Sequence, residues 1–279
     1  MFKNPVVKRF MRRKVSVVAA VVMLLFILTA LIGPFFCSQS PEKQNLTMTY
    51  AGPSAEHWLG TDELGRDTFT RMVYGSRVSL LVSFGGVISG SIVGILMGVC
   101  AGYFGKVVDT VICRIVDILL AFPGLLLAIT IVTILGNGTQ NTAIAIAIFS
   151  IPSMVRMVRG IVISLKSSEY IDACRVMGAS NARILATHII PNCMSQIIVN
   201  VTLNLGTAIL TASSLSFLGL GVQPPNPEWG AMLSSAREVI RTTPMQVFVP
   251  GIAITLVVLA FSLVGDGLRD ALDPKLKNS

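Results

Sequence analysis

Charged side chains are scarce in this sequence of 279 residues. Asp, Glu, Lys and Arg together make up 13% of the chain, whereas soluble domains carry about 25%. Hydrophobic residues account for 53%, and the mean hydropathy is +0.74. So little charge cannot cover the surface of a soluble globule, and so many apolar residues exclude a disordered chain. The composition predicts an all-α polytopic membrane protein rather than a soluble enzyme.

Residues that usually bind metals, form disulfides or hold nucleotides are also few. The chain has five cysteines and two histidines, and no two cysteines form a Cys-x-x-Cys pair, so neither a zinc site nor a disulfide framework is favoured. The only Gly-Lys pair, Gly105-Lys106, is followed by Val107 and lacks the glycine spacing of a phosphate-binding loop. We therefore expect no catalytic residue, no metal and no bound cofactor on this chain.

The excess of positive charge has two interpretations. A net charge of +8 could indicate nucleic acid, but the apolar runs are too long for a nucleic-acid-binding module. Basic residues on the cytoplasmic side of a membrane protein also fix its topology. We therefore predict the lipid bilayer, and no nucleic acid, as the chain's environment.

Six apolar runs are each long enough, at about 20 residues, to cross a bilayer as a helix. They cover residues 15–36, 78–101, 111–135, 142–162, 194–218 and 246–264. The first follows a basic segment, as the core of a signal peptide would, but it is longer than such a core and ends without a clear cleavage site. We interpret it as a retained membrane anchor.

The distribution of basic residues orients these spans. With the N-terminus inside, sixteen of the 22 Lys and Arg residues lie on the inner side, as the positive-inside rule requires. Both termini are then cytoplasmic. The predicted divisions are a basic tail (1–14), a first span (15–36), an external loop (37–77), a core of helices two to six (78–264) with an inner loop (164–192) and a second external loop (219–244), and a cytoplasmic tail (265–279).

The inner loop has the sequence signals of two short helices. Ser168 is suited to cap a helix that begins at Glu169, and Gly178 supplies a left-handed residue to end it. Ser180 is suited to cap a second helix, which we expect to end before Pro191. The prediction is a helix, a turn and another helix on the cytoplasmic surface.

The spacing within this loop carries a family resemblance. Asp172-Ala173-Cys174 is followed by three residues, Gly178, nine residues and an apolar stretch that ends at Pro191. This resembles the EAA loop of ABC-importer permeases, EAA-x3-G-x9-I-x-L-P, with departures at positions 172, 174, 188 and 190. The resemblance implies a coupling helix that docks on an ATPase subunit. The residues implicated are Glu169, Tyr170, Asp172, Ala173, Cys174, Arg175, Gly178, Ala179 and Pro191.

The first external loop contains a second pattern, HWLGTDELGRD at residues 57–67. Its glycines allow tight turns, and its acidic and basic residues can pair across them. The segment resembles the C-type permease subunit of the dipeptide/oligopeptide/nickel family of ABC importers. The residues implicated are His57, Leu59, Gly60, Thr61, Asp62, Gly65, Arg66 and Asp67. Residues 214–230 and 265–274 resemble the same family and are most similar to its dipeptide and glutathione permeases.

The second span carries glycines at a four-residue period, which lets two helices approach closely in lipid. These are Gly86, Gly90, Gly94, Gly98 and Gly102. We predict that the stripe packs against another span or a partner subunit; the alternative is that the glycines act as hinges.

Two prolines and two charge pairs complete the predictions for the spans. Pro123 and Pro152 are expected to kink the third and fourth spans. Spacings of three residues predict ion pairs between Arg114 and Asp117 and between Asp266 and Arg269.

The resemblance implies a type I ABC-importer permease that moves dipeptides, oligopeptides or glutathione across the bacterial cytoplasmic (inner) membrane by alternating access. It implies a second permease subunit that completes a heterodimer, two ATP-binding subunits that use ATP and Mg, and an extracytoplasmic substrate-binding protein. The alternatives are a nickel or metal-chelate ABC permease and an ion-coupled secondary carrier. A non-transporting scaffold would leave the spacing of the inner loop unexplained.

Overall fold

The computed structural model describes residues 5–272, most of which are helical. Parts of the predicted basic tail and of the pattern at 265–274 lie outside the described residues. The helices are α1 (Pro5–Arg12), α2 (Lys14–Ile32), α3 (Thr68–Phe104), α4 (Lys106–Leu120), α5 (Gly124–Leu135), α6 (Thr139–Lys166), α7 (Glu169–Val176), α8 (Asn181–Ile184), α9 (Ile190–Phe217), α10 (Trp229–Ala236) and α11 (Met245–Leu272). The all-α prediction is confirmed.

Within residues 5–272, five helical segments are long and apolar enough to cross a membrane, among them α3, α6 and α11. The third predicted span is a bent pair, α4 and α5, whose axes differ by 92°. Counting that pair as one span gives the six predicted. The bend falls just before Pro123, whose ring is incompatible with a continuing helix. The kink predicted at Pro123 is confirmed, and it is sharp enough to divide the span into two helices. Pro152, by contrast, lies inside α6, which continues through it from Thr139 to Lys166.

Helix α3 begins well before the second predicted span. The carboxylate of Asp67 accepts a hydrogen bond from the amide of Thr70 (2.7 Å) and so caps the helix at Thr68. The first turns of α3 therefore belong to the segment predicted as the external loop. We call the irregular remainder, residues 37–67, the cap.

The glycine stripe of α3 faces α6 of the same chain. A Cβ atom built at Gly86 would lie 2.7 Å from Ile146, and one built at Gly94 would lie 2.7 Å from Met154. The two backbones approach this closely because α3 has no side chains along this line. The facing residues of α6 across the stripe are Ala143, Ile146, Ala147, Ser150, Ile151, Met154, Val155, Val158, Arg159 and Val162.

The buried apolar residues form two main clusters at different levels of the helix bundle. One surrounds Trp229 and Phe261 and joins α3, α9, α10 and α11. The other joins the C-terminal parts of α3 and α6 to Ile171, Ile184 and Ile189, which are fully buried. The second cluster anchors the inner loop to the ends of the long helices.

Two ion pairs join α4 to α6, and neither is the pair predicted within α4. Arg156 donates to Asp117 across 2.8 Å, and Arg159 donates two hydrogen bonds to Asp109, of 2.5 and 2.7 Å. The predicted pair between Arg114 and Asp117 is wrong because the guanidinium of the neighbouring helix occupies the carboxylate.

The two ends of the described chain lie beside each other. Arg13, between α1 and α2, pairs with Asp270 of α11, and a Cβ atom at Gly267 would meet Phe10 and Ser16. The ion pair predicted within α11 is wrong, since Asp266 and Arg269 do not pair with each other among residues 5–272.

Candidate functional site

The helix predicted at the start of the inner loop is present as α7, from Glu169 to Val176. Ser168 occupies its N-cap position, but the hydroxyl does not cap the helix. It donates instead to the carbonyl of Leu165, in the last turn of α6. The predicted hydroxyl cap is therefore wrong, because the short link between α6 and α7 places a helix-end carbonyl, which the amide of Ser168 also bonds (3.1 Å), within reach of the same side chain.

The turn predicted at Gly178 is confirmed. Its φ is +82°, in the left-handed region. The amide of Gly178 donates to the carbonyl of Arg175 (2.9 Å), and the amide of Ala179 donates to that of Cys174 (3.0 Å). A Cβ atom at Gly178 would meet no other atom within 4 Å, so its backbone conformation, rather than lack of space, favours glycine here.

The second predicted helix begins as expected but does not end before Pro191. Ser180 accepts a hydrogen bond from the amide of Arg183 at the start of α8. From α8 the chain passes through a π-helical turn, Leu185–Ile189, directly into α9, which contains Pro191. The wider π turn changes the hydrogen-bond register before Pro191 and so accommodates a residue that lacks an amide hydrogen.

The inner loop exposes an apolar tip. Val176 is 89% exposed and Met177 is 78% exposed, although the same loop buries Ile171 and Ile184 completely. Large apolar side chains held this far into solvent by a rigid anchor are typical of a contact surface for another chain. We call Val176 and Met177 the tip.

Most of the residues implicated in the inner loop surround this tip on the surface. Tyr170 and Cys174 both contact His188: the ring centroids of Tyr170 and His188 lie 6.3 Å apart, and the Cys174 sulfur lies 3.6 Å from the imidazole. Arg175 pairs with Asp172 on the outer face of α7 (2.8 Å). The exposed members of the predicted set are Glu169, Tyr170, Asp172, Ala173, Arg175, Gly178 and Pro191, and the half-buried members are Cys174 and Ala179.

The second pattern, in the cap, folds around one buried carboxylate. Asp62 accepts hydrogen bonds from the amides of Leu64 (3.0 Å) and Arg66 (2.9 Å) and from Nε of Arg66 (2.7 Å). Nε of Arg71, in α3, lies 3.2 Å from the same carboxylate. These contacts make Asp62 the link between the cap and the first turns of α3.

Two glycines let neighbouring segments of the cap come together. A Cβ atom at Gly60 or Gly65 would overlap the backbone of Ala51 or Asn45, and both glycines have positive φ values. Thr61, beside the first glycine, bonds the backbone of residues 48 and 51 through its hydroxyl. With Leu59 half-buried and the rest buried, the predicted motif residues form the scaffold of the cap.

A cavity of about 410 Å³ opens beside this scaffold. His57 Nδ1 lies 3.0 Å from the carboxylate of Asp67, which also caps α3. Both line the cavity with Trp58 and Cys37, and burial raises the pKa of the Cys37 thiol. These side chains mainly contact one another and α3.

Replacing Asp62 with Ala should loosen the cap. The change leaves the buried guanidinium groups of Arg66 and Arg71 without their shared carboxylate, which costs about 3–5 kcal/mol for a buried pair. We expect limited proteolysis of the purified protein within residues 37–67 to become at least tenfold faster.

The matched control is Glu63→Ala. Glu63 also bonds Arg66 (2.8 Å) but is partly exposed, so its loss should matter little. Equal proteolysis rates in the two variants would contradict the role assigned to Asp62.

Sequence reasoning missed two buried polar residues that hold the second external loop. Glu228 accepts hydrogen bonds from the hydroxyl of Ser79 (3.0 Å) and the amide of Ala231 (2.9 Å), and so joins α3 to the start of α10. Gln246 bonds Thr68 and the backbone of the cap. An acidic residue just before an apolar stretch is favoured at a helix start and was a usable signal for Glu228, whereas nothing local marked Gln246.

Most of the chain matches a known family of membrane components. Residues 90–278 match the family described as binding-protein-dependent transport system inner membrane component, and residues 5–53 match the N-terminal transmembrane domain of oligopeptide transport permease C. The chain belongs to this family of transport-system permeases.

Individual relatives share most of the chain. A dipeptide transport system permease protein, DppC, of Alkalihalophilus pseudofirmus is 51% identical over 97% of this chain and 89% of the relative. A glutathione transport system permease protein, GsiD, of Pectobacterium atrosepticum is 47% identical over 97% of this chain and 90% of the relative.

A solved structure shares the fold. A chain of the MetNI methionine ABC transporter, in inward-facing conformations, has a TM-score of 0.59 at 18% identity and covers 73% of this chain and 96% of that chain. The type I ABC-importer permease fold predicted from the sequence is therefore confirmed.

Proposed function

We propose that this chain is the transmembrane permease subunit of an ATP-driven importer that moves short peptides into the cytoplasm. The names of the relatives, dipeptide and glutathione permeases, support the substrate class. They do not favour the alternatives of a metal-chelate permease or an ion-coupled carrier.

The observation that carries the proposal is the geometry of the inner loop. A short helix, α7, ends in a left-handed glycine and presents an apolar tip, Val176 and Met177, while Ile171 and Ile184 tie the same loop to the helix bundle. A partner that pushes on the tip would therefore move the ends of α3, α6 and α9 with it. This is the mechanical connection that an ATP-driven permease requires.

The proposed mechanism is alternating access driven from the tip. Two ATP-binding subunits, which use ATP and Mg, would dock on the inner loop from the cytoplasm, and a second permease subunit would complete the pathway. An extracytoplasmic binding protein would deliver the peptide to the side that carries the cap. This arrangement requires both termini and the inner loop to be cytoplasmic, in the bacterial inner membrane, as the distribution of Lys and Arg predicts.

The test is uptake by the complete transporter in proteoliposomes. The chain is combined with its second permease, its ATPases and its binding protein, and labelled alanyl-alanine, glutathione and a nickel–histidine chelate are offered separately. We expect ATP-dependent uptake of the dipeptide or of glutathione, and none when this chain is omitted. Uptake of the chelate alone, or uptake driven by an ion gradient without ATP, would contradict the proposal.

A further inference from the structure

A stripe of polar side chains runs along the membrane-spanning helix α9. Their spacing of three or four residues places them on one face of the helix. The members are Asn192, Gln196, Asn200, Asn204, Thr207, Thr211 and Ser214. Such a stripe is costly against lipid and is therefore expected to face protein or a water-filled pathway.

An exposed ion pair lies between two neighbouring membrane segments. Arg156 of α6 donates to Asp117 of α4 across 2.8 Å, and the two side chains are 60% and 53% exposed. Arg156 lies six residues inside residue 162, the predicted inner end of the fourth span, which is about 9 Å along the helix. These charges therefore lie within the predicted span, where exposure to lipid is unfavourable.

The ion pair and the stripe lie next to one another. Ser153 is one turn before Arg156 on the same face of α6, and its hydroxyl accepts a hydrogen bond from the amide of Asn204 (3.2 Å). The Asn204 amide also donates to Asn200 (2.8 Å). We call these five residues the polar belt: Asp117, Ser153, Arg156, Asn200 and Asn204.

We propose that the polar belt is a binding site for the charged ends of a peptide in transit. The Arg156 guanidinium would bind a peptide carboxylate, Asp117 would bind the α-ammonium group, and the amides of Asn200 and Asn204 would bond the peptide backbone. Dipeptides and glutathione share this chemistry, since both carry a free α-ammonium group and free carboxylates. The inference rests on the proposed peptide-import function.

The energetics of an exposed pair suit a site that must release its ligand. An ion pair open to water contributes about 0–1 kcal/mol, so the Arg156–Asp117 pair opens at little cost and each charge exchanges one partner for another. When no peptide is present the two side chains neutralise each other. The resulting site recognises opposite charges without holding the peptide tightly.

A second pair between the same helices provides the matched control. Arg159 donates two hydrogen bonds to Asp109, and these side chains are less exposed than the first pair. If ion pairs between α4 and α6 were purely structural, loss of the less exposed Arg159–Asp109 pair would have at least as large an effect as loss of the Arg156–Asp117 pair. A binding role predicts that only the pair in the polar belt affects the ligand.

The test is photolabelling of the complete transporter in nanodiscs, without binding protein or ATP, by a dipeptide that carries a diazirine side chain. In the natural chain we expect labels on residues 113–120, 150–157 and 197–207, competed by excess alanyl-alanine, by glutathione, or by both according to the true substrate. Arg156→Gln and Asp117→Asn should each lower this labelling at least tenfold with the second permease still bound. Arg159→Gln and Asp109→Asn should leave the labelled positions unchanged.

Blocking the ends of the probe tests the same site without changing the protein. Acetylation of its amino group or amidation of its carboxylate should lower labelling of the natural chain at least fivefold. Equal labelling by blocked and free probes, equal losses in both pairs of variants, or loss of the second permease from Arg156→Gln would overturn the site. If the site fails in this way but the natural transporter still takes up peptide with ATP, the proposed function is unaffected. Absence of that uptake would overturn the proposed function itself.

Discussion

Replacing Gly178 with Val should uncouple ATP hydrolysis from uptake while the protein remains assembled in the membrane. Gly178 has a φ of +82°, a conformation that costs an L-residue about 1–2 kcal/mol and a β-branched residue more. A penalty of about 1.4 kcal/mol lowers the equilibrium constant for forming the native turn about tenfold. We expect uptake in proteoliposomes to fall at least tenfold, with ATP hydrolysis by the same complex largely retained.

Conservative replacements at the same position separate conformation from size. No atom lies within 4 Å of a Cβ atom built at Gly178, so steric overlap does not explain the expected loss. Asn adopts left-handed conformations more readily than other side chains, and Gly178→Asn should keep most of the coupled uptake. Normal uptake by Gly178→Val, or equal loss in the Val and Asn variants, would contradict the role of this turn.

Replacing Gly90 with Ala should destabilise the helix bundle. A Cβ atom at Gly90 would overlap the carbonyl of Ala147 and the hydroxyl of Ser150, and would lie 2.9 Å from the Ala147 Cα atom. Because the obstruction includes backbone, α3 and α6 must move apart, and overpacking of this kind costs about 1–3 kcal/mol. We expect a lower midpoint of thermal unfolding in detergent and a lower yield of folded protein.

Gly85 provides the control on the same helix. A Cβ atom there would meet nothing within 4 Å, and Gly85→Ala also removes the backbone freedom of a glycine from a helix. Its thermal midpoint should match or exceed that of the natural chain. An equal loss of stability in the two variants would show that the packing of α3 on α6 does not explain the stripe.

Local sequence signals predicted the elements whose cause is local. Apolar runs located the membrane helices, Pro123 located the bend between α4 and α5, and Gly178 located the turn after α7. In each case the determining factor is the residue's own backbone preference or the hydrophobicity of its neighbours. Neither depends on how distant parts of the chain pack.

Where a side chain has two possible ion-pair or hydrogen-bond partners, the sequence did not predict which one it takes. Arg114 and Arg156 both carry a guanidinium group that could pair with Asp117. Arg156 forms the pair because α6 lies beside α4. The hydroxyl of Ser168 could bond the amides of α7 or a carbonyl of α6. It bonds the carbonyl because the link between the two helices is short.

The candidate site, too, could be predicted only in part from the sequence. The spacing of the EAA-like pattern located the inner loop, but the exposure of Val176 and Met177 depends on how Ile171 and Ile184 anchor it. The polar belt draws residues from α4, α6 and α9, which are far apart in sequence. Neither could be recognised before the helices were placed beside one another.

Cross-linking from the tip tests the central claim, that the inner loop receives the ATPase, most directly. Met177→Cys is introduced together with Cys174→Ala, which removes the neighbouring thiol, and membranes that contain the whole transporter are labelled with a maleimide-benzophenone, whose photoactivated ketone inserts into C–H bonds of whatever chain lies against it. The control is Gln44→Cys, exposed in the cap, in the same background. We predict a covalent adduct of this chain with the ATPase subunit from Met177→Cys and none from Gln44→Cys; an adduct from the cap, or none from the tip of an intact complex, would contradict it.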